Sequence, residues 1–297
     1  MNTLHFRPIS LDLQDQYLER LTQCPQIASD YSFVNLWGWA AEHGLYWAWS
    51  DQLIWIKQTR PHTRYWAPVG SWNNVYWNHA MAFLAEPEPV RFTRIPETLV
   101  QQWKPLLQDQ ALIIEARGHW DYLYAAADLA SLKGNRFHKK KNLVNQFKRR
   151  YDFTYQSFSE KLVDQAIAMQ EDWCTWRDCE SSETLSAENR VIARVLRSWN
   201  NLKHLVGGAI LSDNRMVAYT VGERLPNGDL LIHFEKADQE FKGAYQAINQ
   251  MFVANLNGTF DRVNREQDLN DPGLRKAKLS YHPVDFLKKF QVTLKRP

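Results

Sequence analysis

Residues 205–255 leave the chain few options for its fold. Three strand-like runs, LVGGAIL, MVAYTVGERL and LLIHFEKAD, are separated by Ser212-Asp213-Asn214-Arg215 and by Asn227-Gly228. Asn-Gly is a strong hairpin signal, because both residues tolerate the positive φ of a two-residue turn. FKGAYQAINQMFVANL follows, with Ala244, Ala247, Ile248, Met251, Phe252 and Asn255 on one helical face. Strands joined by tight turns pair antiparallel, and a one-faced helix must then cover their sheet.

The flanking sequence extends this pattern. EKLVDQAIAMQEDWCTW and SAENRVIARVLRSW, the second capped by Ser186, read as helices before the strands. FDRVNREQD reads as a strand after them, and LNDPGLRKAKLSYHPVDFLKKFQVTL as a helix-like segment and a final strand. Two helices, three antiparallel strands, a helix, a strand, a helix-like segment and a last strand is the element order of the GNAT acyltransferase fold.

The first half runs through a looser version. Residues 12–24 read as a helix, and Ser29-Asp30-Tyr31-Ser32 offers caps before FVNLWGWAAEH. LYWAWSD, QLIWIKQ and RYWAPVG read as strands, NVYWNHAMAFLAE as a helix, VRFTRIP as a strand, ETLVQQWKPLL as a helix and ALIIEARG as a strand. Ten of the thirteen Trp fall between Trp37 and Trp120, which predicts an aromatic core there. The expected fold class is therefore α/β (α+β), with two tandem GNAT-like domains. Each is a mixed, mostly antiparallel sheet flanked by helices. The expected boundaries are 1–131, a basic connecting helix over 132–155, and 156–297.

Charge is unevenly placed. Residues 131–155 hold eight Lys/Arg against one Asp/Glu, while residues 1–130 are net acidic and 156–297 balance. A local basic excess predicts an anionic contact. Cys24, Cys174 and Cys179 make neither an even set nor a C-x-x-C, and read as reduced thiols. No signal pattern opens the sequence and no run approaches the ~20 apolar residues of a membrane helix, so a cytoplasmic protein without integral membrane association is expected. The nine His lack ligand spacing, which argues against a metal site. Nucleophile-elbow, P-loop and dinucleotide motifs are absent from the sequence.

Three segments carry candidate chemistry. In HFEKADQEFKGAYQAINQ, a strand ends and Lys236, Lys242, Gly243, Ala244 and Tyr245 lead into a helix. Helix N-terminal amides suit a phosphate, and a strand–helix turn that simply needs a Gly is the plainer alternative. In GNRFHKKKNLVNQFKRR, His138, Lys139, Lys140, Asn142 and Asn145 could hold a phosphate-rich ligand, or decorate a solvated helix. No DNA-reading motif accompanies them. In RVNREQDLNDPGLRKAKLSYHP, Glu266 and Asp268 would leave a strand on one side, followed by Arg275, Lys276 and Tyr281. One of the carboxylates, or Glu235, could act as base and Tyr281 as acid; an ion-pair network is the alternative.

LKGNRFHKKKNLVNQFKRRY, FEKAD with FKGAYQAIN, and NREQDLNDPGLRKAKLSYHP with FLKKF together resemble a bacterial family named after the C-terminal domain of phosphatidylglycerol lysyltransferase. The resemblance covers nearly the whole chain. It implies two tandem GNAT-like domains, akin to the Fem-type aminoacyltransferases, with the basic-Asn segment and the Glu-Gln-Asp strand lining one cavity. Lysyltransferase relatives pass an amino acid from aminoacyl-tRNA to a lipid headgroup. This sequence carries no membrane-spanning portion, so the resemblance implies fold and reaction class more than acceptor. The expected activity is acyl or aminoacyl transfer to a small amine or hydroxyl acceptor, with acyl-CoA or aminoacyl-tRNA as co-substrate and no tightly bound cofactor. A non-catalytic GNAT-fold protein binding an anionic ligand or RNA is the alternative.

Overall fold

The computed structural model describes residues 4–82, 84 and 89–294. They divide into two compact units. The first comprises Met1–Asp121, Gln267–Arg275 and Phe286–Pro297; the second comprises Tyr122–Glu266 and Lys276–Asp285. Both are mixed α/β, as expected.

The first unit holds β1 (Arg7–Pro8), α1 (Gln14–Leu21), α2 (Phe33–His43), β2 (Leu45–Trp49), β3 (Leu53–Gln58), β4 (Arg64–Tyr65) and β5 (Val69–Gly70). It continues with α3 (Trp77–Ala82), β6 (Val90–Pro96), α4 (Glu97–Leu107) and β7 (Ala111–Glu115). The end of the helix expected over NVYWNHAMAFLAE lies outside the described residues. Ser32 caps α2 by accepting from the Asn35 amide. The Trp-rich half does form a core. Trp47, Trp55, Trp72 and Trp103 are fully buried, with Tyr17 stacked on Trp47 and Phe92 edge-on to Trp103.

The second unit runs β8 (Asp121–Ala125), α5 (Ala126–Ser131), α6 (His138–Arg150), β9 (Thr154–Ser157), α7 (Val163–Trp176), α8 (Glu183–Arg197), β10 (Leu205–Ser212), β11 (Arg215–Arg224), β12 (Leu230–Ala237), α9 (Ala244–Asn255) and β13 (Arg262–Asn264). Six strands of its seven-stranded sheet lie in the order β8-β13-β12-β11-β10-β9. Only β12 and β13 run parallel among these. Alternation along β11 and β12 gives the sheet two faces. Ala218 and Ala237 face α6 and α9, in a core with Phe147, Ala244, Ile248 and Met251. Tyr219 points the other way, its hydroxyl on Gln170 of α7. The β11–β12 register slips between Val221 and Gly222, which leaves His233 as the extra residue of a bulge.

Four sequence expectations change. The boundary near 131 gives way to Asp121/Tyr122, because HWDYLYAAAD contains β8, a strand of the second sheet. The basic helix is no connector, since α6 buries Val144 and Phe147 within the second unit. After α10 (Pro272–Leu279) and β14 (Asp285–Leu287), the final strand β15 (Lys289–Leu294) lies between β6 and β7 in the first sheet. Its alternation marked it as a strand without identifying its partners. Helix α8 starts earlier than Ser186: Ser182 is its cap, and the Ser186 hydroxyl bonds the Cys179 carbonyl instead. The cysteines also depart from expectation. Cys174 and Cys179 form a disulfide, and Cys24 is free and buried.

Candidate active site in the second unit

Glu235 near the end of β12 organises the site. It belongs to the sheet face covered by α9, and its two carboxylate oxygens take different donors. Arg265 Nη2 donates to Oε1 at 3.0 Å, and Asn249 Nδ2 of α9 donates to Oε2 at 2.9 Å. Arg265 immediately follows β13, so the parallel β12–β13 pairing delivers it to Glu235. Arg265 also packs against two rings, its Cζ 4.8 Å from Tyr281 and 5.7 Å from Tyr124. Lys140 of α6 completes the cluster, its Nζ 4.3 Å from the Tyr281 centroid.

Burial gives these groups unusual proton affinities. Burial pushes the Tyr281 hydroxyl up, with Arg265 opposing and Glu235 reinforcing, so it stays protonated. Burial lowers Lys140, helped by the Arg265 charge and opposed by Glu235. Two cations therefore face one carboxylate. Two polar atoms also lack partners: Arg265 Nη1, a donor, and Asn249 Oδ1, an acceptor. Both belong to groups held by the same carboxylate.

Among the sequence candidates, the structure brings together Glu235, Tyr281 and Lys140. Glu266 lies apart from Glu235. The strand ends at Asn264, and Glu266 sits at φ 54°, which breaks the alternation expected to align it with Asp268. It pairs instead with His233, whose Nδ1 lies 3.2 Å from Glu266 and Nε2 3.2 Å from buried Glu223. Burial disfavours the imidazolium, yet Glu223 and Glu266 overcome this and raise the pKa to about 9. Because the folded pKa exceeds the unfolded one, this contribution is complete below about pH 6.5 and lost as pH rises to about 9. A shift of that size is worth on the order of 3 kcal/mol. Urea unfolding of wild type should show this loss between pH 6.5 and 9. His233→Gln should be weaker at pH 6 and flatter across the window; equal slopes would exclude the assignment.

Asp268 and Arg275 belong to the first unit. Asp268 is fully buried and accepts from Arg275 Nε at 2.8 Å and Arg117 Nη1 at 3.2 Å. Lys276 is exposed. Lys236 points to the opposite sheet face from Glu235, against Glu188 at 2.8 Å. On α6, His138, Lys139, Asn142 and Asn145 face solvent. At the α9 N-terminus, the Lys242 amide donates to the Tyr151 hydroxyl and the Ala244 amide to the Phe241 carbonyl. Gly243 has φ 93°, and a Cβ there would collide with the Leu143 carbonyl of α6. Helix packing thus gives that glycine its reason. The Tyr245 hydroxyl accepts from Trp173 at 2.8 Å. Arg265, Asn249 and Tyr124 are the site residues that sequence reasoning missed. Arg265 stood inside the quoted NREQD segment, and an Arg beside a strand end rich in carboxylates was the available signal.

Among the described residues, no cluster of three His, Cys, Asp or Glu could hold a metal, and no helix is long and apolar enough to cross a membrane.

The family model described as phosphatidylglycerol lysyltransferase, C-terminal, matches residues 22–293. A conserved protein of unknown function from Bacteroides thetaiotaomicron is 29% identical, with TM-score 0.91 over 99% of this chain and 100% of that one. L-PGS from Bacillus licheniformis superposes with TM-score 0.66 at 13% identity, over 100% of this chain and 94% of that one. A tandem GNAT protein from the clavulanic acid biosynthesis pathway does so with TM-score 0.50 at 10% identity, covering 99% of each. An uncharacterised protein of Mycoplasmoides gallisepticum is 23% identical over 194 residues, 64% of this chain and 61% of that protein's length. The fold is thus that of tandem GNAT proteins.

Proposed function

This chain belongs to the phosphatidylglycerol lysyltransferase C-terminal family, and from that premise we propose that it is an aminoacyltransferase, moving an aminoacyl group from tRNA to an amine or hydroxyl acceptor at the Glu235–Arg265 site. The observation that carries this reading is the pair of buried unpartnered atoms, Arg265 Nη1 and Asn249 Oδ1. The cationic donor suits the ester carbonyl oxygen, which gains negative charge as the acceptor attacks. The amide oxygen suits an ammonium or amine N–H, a group that an aminoacyl ester carries and a simple acyl thioester lacks. Glu235, fixed by Arg265 and Asn249, adds a negative charge beside that amine. Tyr281, held protonated, can return a proton to the departing ribose oxygen. Glu235 takes the proton that the acceptor loses, and Lys140 is the second cation facing it.

The exposed face of α6 supports the choice of donor. Lys139, Lys141, Lys148 and Arg149 all point to solvent along one helix of the same unit. Such a row suits a nucleic-acid backbone, whose binding weakens steeply with salt as counterions are released. A thermal-shift screen tests the proposal, using acyl-CoA species and charged and uncharged tRNA. Donor at about 100 times its dissociation constant should add roughly 2.7 kcal/mol of stability. Stabilisation by charged tRNA that fades with salt is expected. Stabilisation by an acyl-CoA alone would make the protein an acyltransferase of the simpler kind. No shift with any of them would favour a binding protein without turnover.

A further inference from the structure

Cys174 and Cys179 lie on the sheet face opposite Glu235, and the transfer reading does not use them. Cys174 is in the last turn of α7, beside Trp173. Cys179 opens the short turn that leads to Ser182, the cap of α8. Their Cα atoms are 5.1 Å apart. The two helices meeting at this corner hold one side chain between them. Lys236 Nζ lies 3.7 Å from the Trp173 ring centroid and 2.8 Å from Glu188 Oε2 of α8. The Lys236 side chain is only 7% exposed. The ring and the carboxylate both favour the buried ammonium, and without the carboxylate its charge would be left desolvated. Trp173 is fixed in turn by its hydrogen bond to Tyr245 in the first turn of α9.

We propose that Cys174 and Cys179 form a reversible dithiol–disulfide clamp on the α7–α8 corner, which closes Trp173 and Glu188 around Lys236 when oxidised and frees the lysine when reduced. The corner is open to solvent on the Cys174 side, while Cys179 is buried. Thr175, Trp176, Arg177, Asp178 and Glu180 are all exposed, and Cys174 is half-buried. Asp178 adopts φ 50°, so the chain reverses within the loop that the bridge closes. Apart from the bridge, the turn is tied by short-range bonds such as Ser181 to the Asp178 carbonyl and Ser186 to the Cys179 carbonyl. The oxidant is a small disulfide such as oxidised glutathione. One cysteine thiolate attacks it, releasing one glutathione thiol and leaving a mixed disulfide. The second cysteine thiolate then displaces the other glutathione thiol as the intramolecular bridge forms. The protein loses two electrons and two protons, and the oxidant takes them as two thiols. A dithiol reductant reverses both steps. Cys24 does not compete: it is buried in the first unit, and burial pushes its thiol up to about 12.

The readout is Lys236 itself, so the result does not depend on the transfer reaction. The full chain is equilibrated with oxidised glutathione or with dithiothreitol. Thiols are counted by alkylation after denaturation, and lysines are acetylated under native conditions and mapped by peptide mass. One thiol should be counted in the oxidised sample and three in the reduced one. Acetylation of Lys236 should rise about tenfold on reduction, with exposed Lys139 and Lys141 unchanged. Cys174→Ser should show the reduced-state reactivity in both buffers. Equal Lys236 acetylation in samples that count one and three thiols would overturn the clamp. So would three thiols after oxidised glutathione. The wild-type comparison stands even if a cysteine variant fails to fold.

Discussion

Replacing Arg265 with Lys is expected to leave the second unit folded and to lower kcat/KM for transfer by about 100-fold or more. Lys keeps the positive charge that Glu235 requires inside the protein, so the buried carboxylate is not left alone. It cannot reproduce the guanidinium fork, which sends one nitrogen to Glu235 at 3.0 Å and leaves Nη1 without a partner. If Nη1 serves the developing oxyanion, losing it removes stabilisation that exists only in the transition state. The decrease should then fall mainly on kcat, with KM for the donor changing little. Circular dichroism and unfolding curves of Arg265→Lys should match wild type. A variant within about threefold of wild-type kcat/KM would remove Arg265 from the chemistry. A large rise in KM with unchanged kcat would make it a ground-state contact.

Lys289→Met is expected to cost about 3–5 kcal/mol of stability, the largest effect of any single substitution considered. Lys289 is fully buried in the first unit, paired with Asp30 and, at 2.6 Å, with Asp121. Both carboxylates are also buried. Asp121 further accepts from the Ser29 amide at 2.8 Å and from Gln267 at 3.0 Å, while Asp30 takes Arg94. Burial disfavours the Asp30 carboxylate, but Arg94 and Lys289 outweigh it and hold its pKa far below the usual range. Methionine fills the space and removes the charge, so two buried carboxylates would lose the ammonium they share. Urea unfolding at neutral pH measures the cost. Asp121→Asn added to Lys289→Met should recover part of it, since the uncompensated charge goes too. A loss below about 1 kcal/mol, or no recovery in the double variant, would show that the network is dispensable. Lys289 also explains how the last strand is held: it enters beside β6 with a charge that Asp30 and Asp121 neutralise.

Local signals read well where the physics was local. The hairpins of residues 205–237, the cap at Ser32 and the helix over residues 244–255 formed as their turn residues and periodicity required. Glu235, Tyr281 and Lys140 were legible as candidates because residues able to handle protons or anions stood at a strand end, in a motif and in a basic run. Gly243 was legible as a special position, but for a reason found in α6, whose carbonyl approaches it too closely for any side chain. Asp268 and Glu266 had the same chemistry and a two-residue spacing, yet the positive φ at Glu266 sent them to different partners. The cysteine count argued against a framework of bridges, and one bridge formed between the two cysteines five residues apart.

The sequence by itself determined the element types, the two α/β units and the family, because hydrophobic period, turn chemistry and a few motifs are properties of neighbouring residues. Tertiary structure alone decided that β15 completes the first sheet and that β8 opens the second. It also decided that Arg265 and Asn249 meet on one carboxylate, and that Lys236 turns its back on it. Strand partners and side-chain encounters come from long-range pairing and burial, and neither leaves a periodic trace in the order of residues.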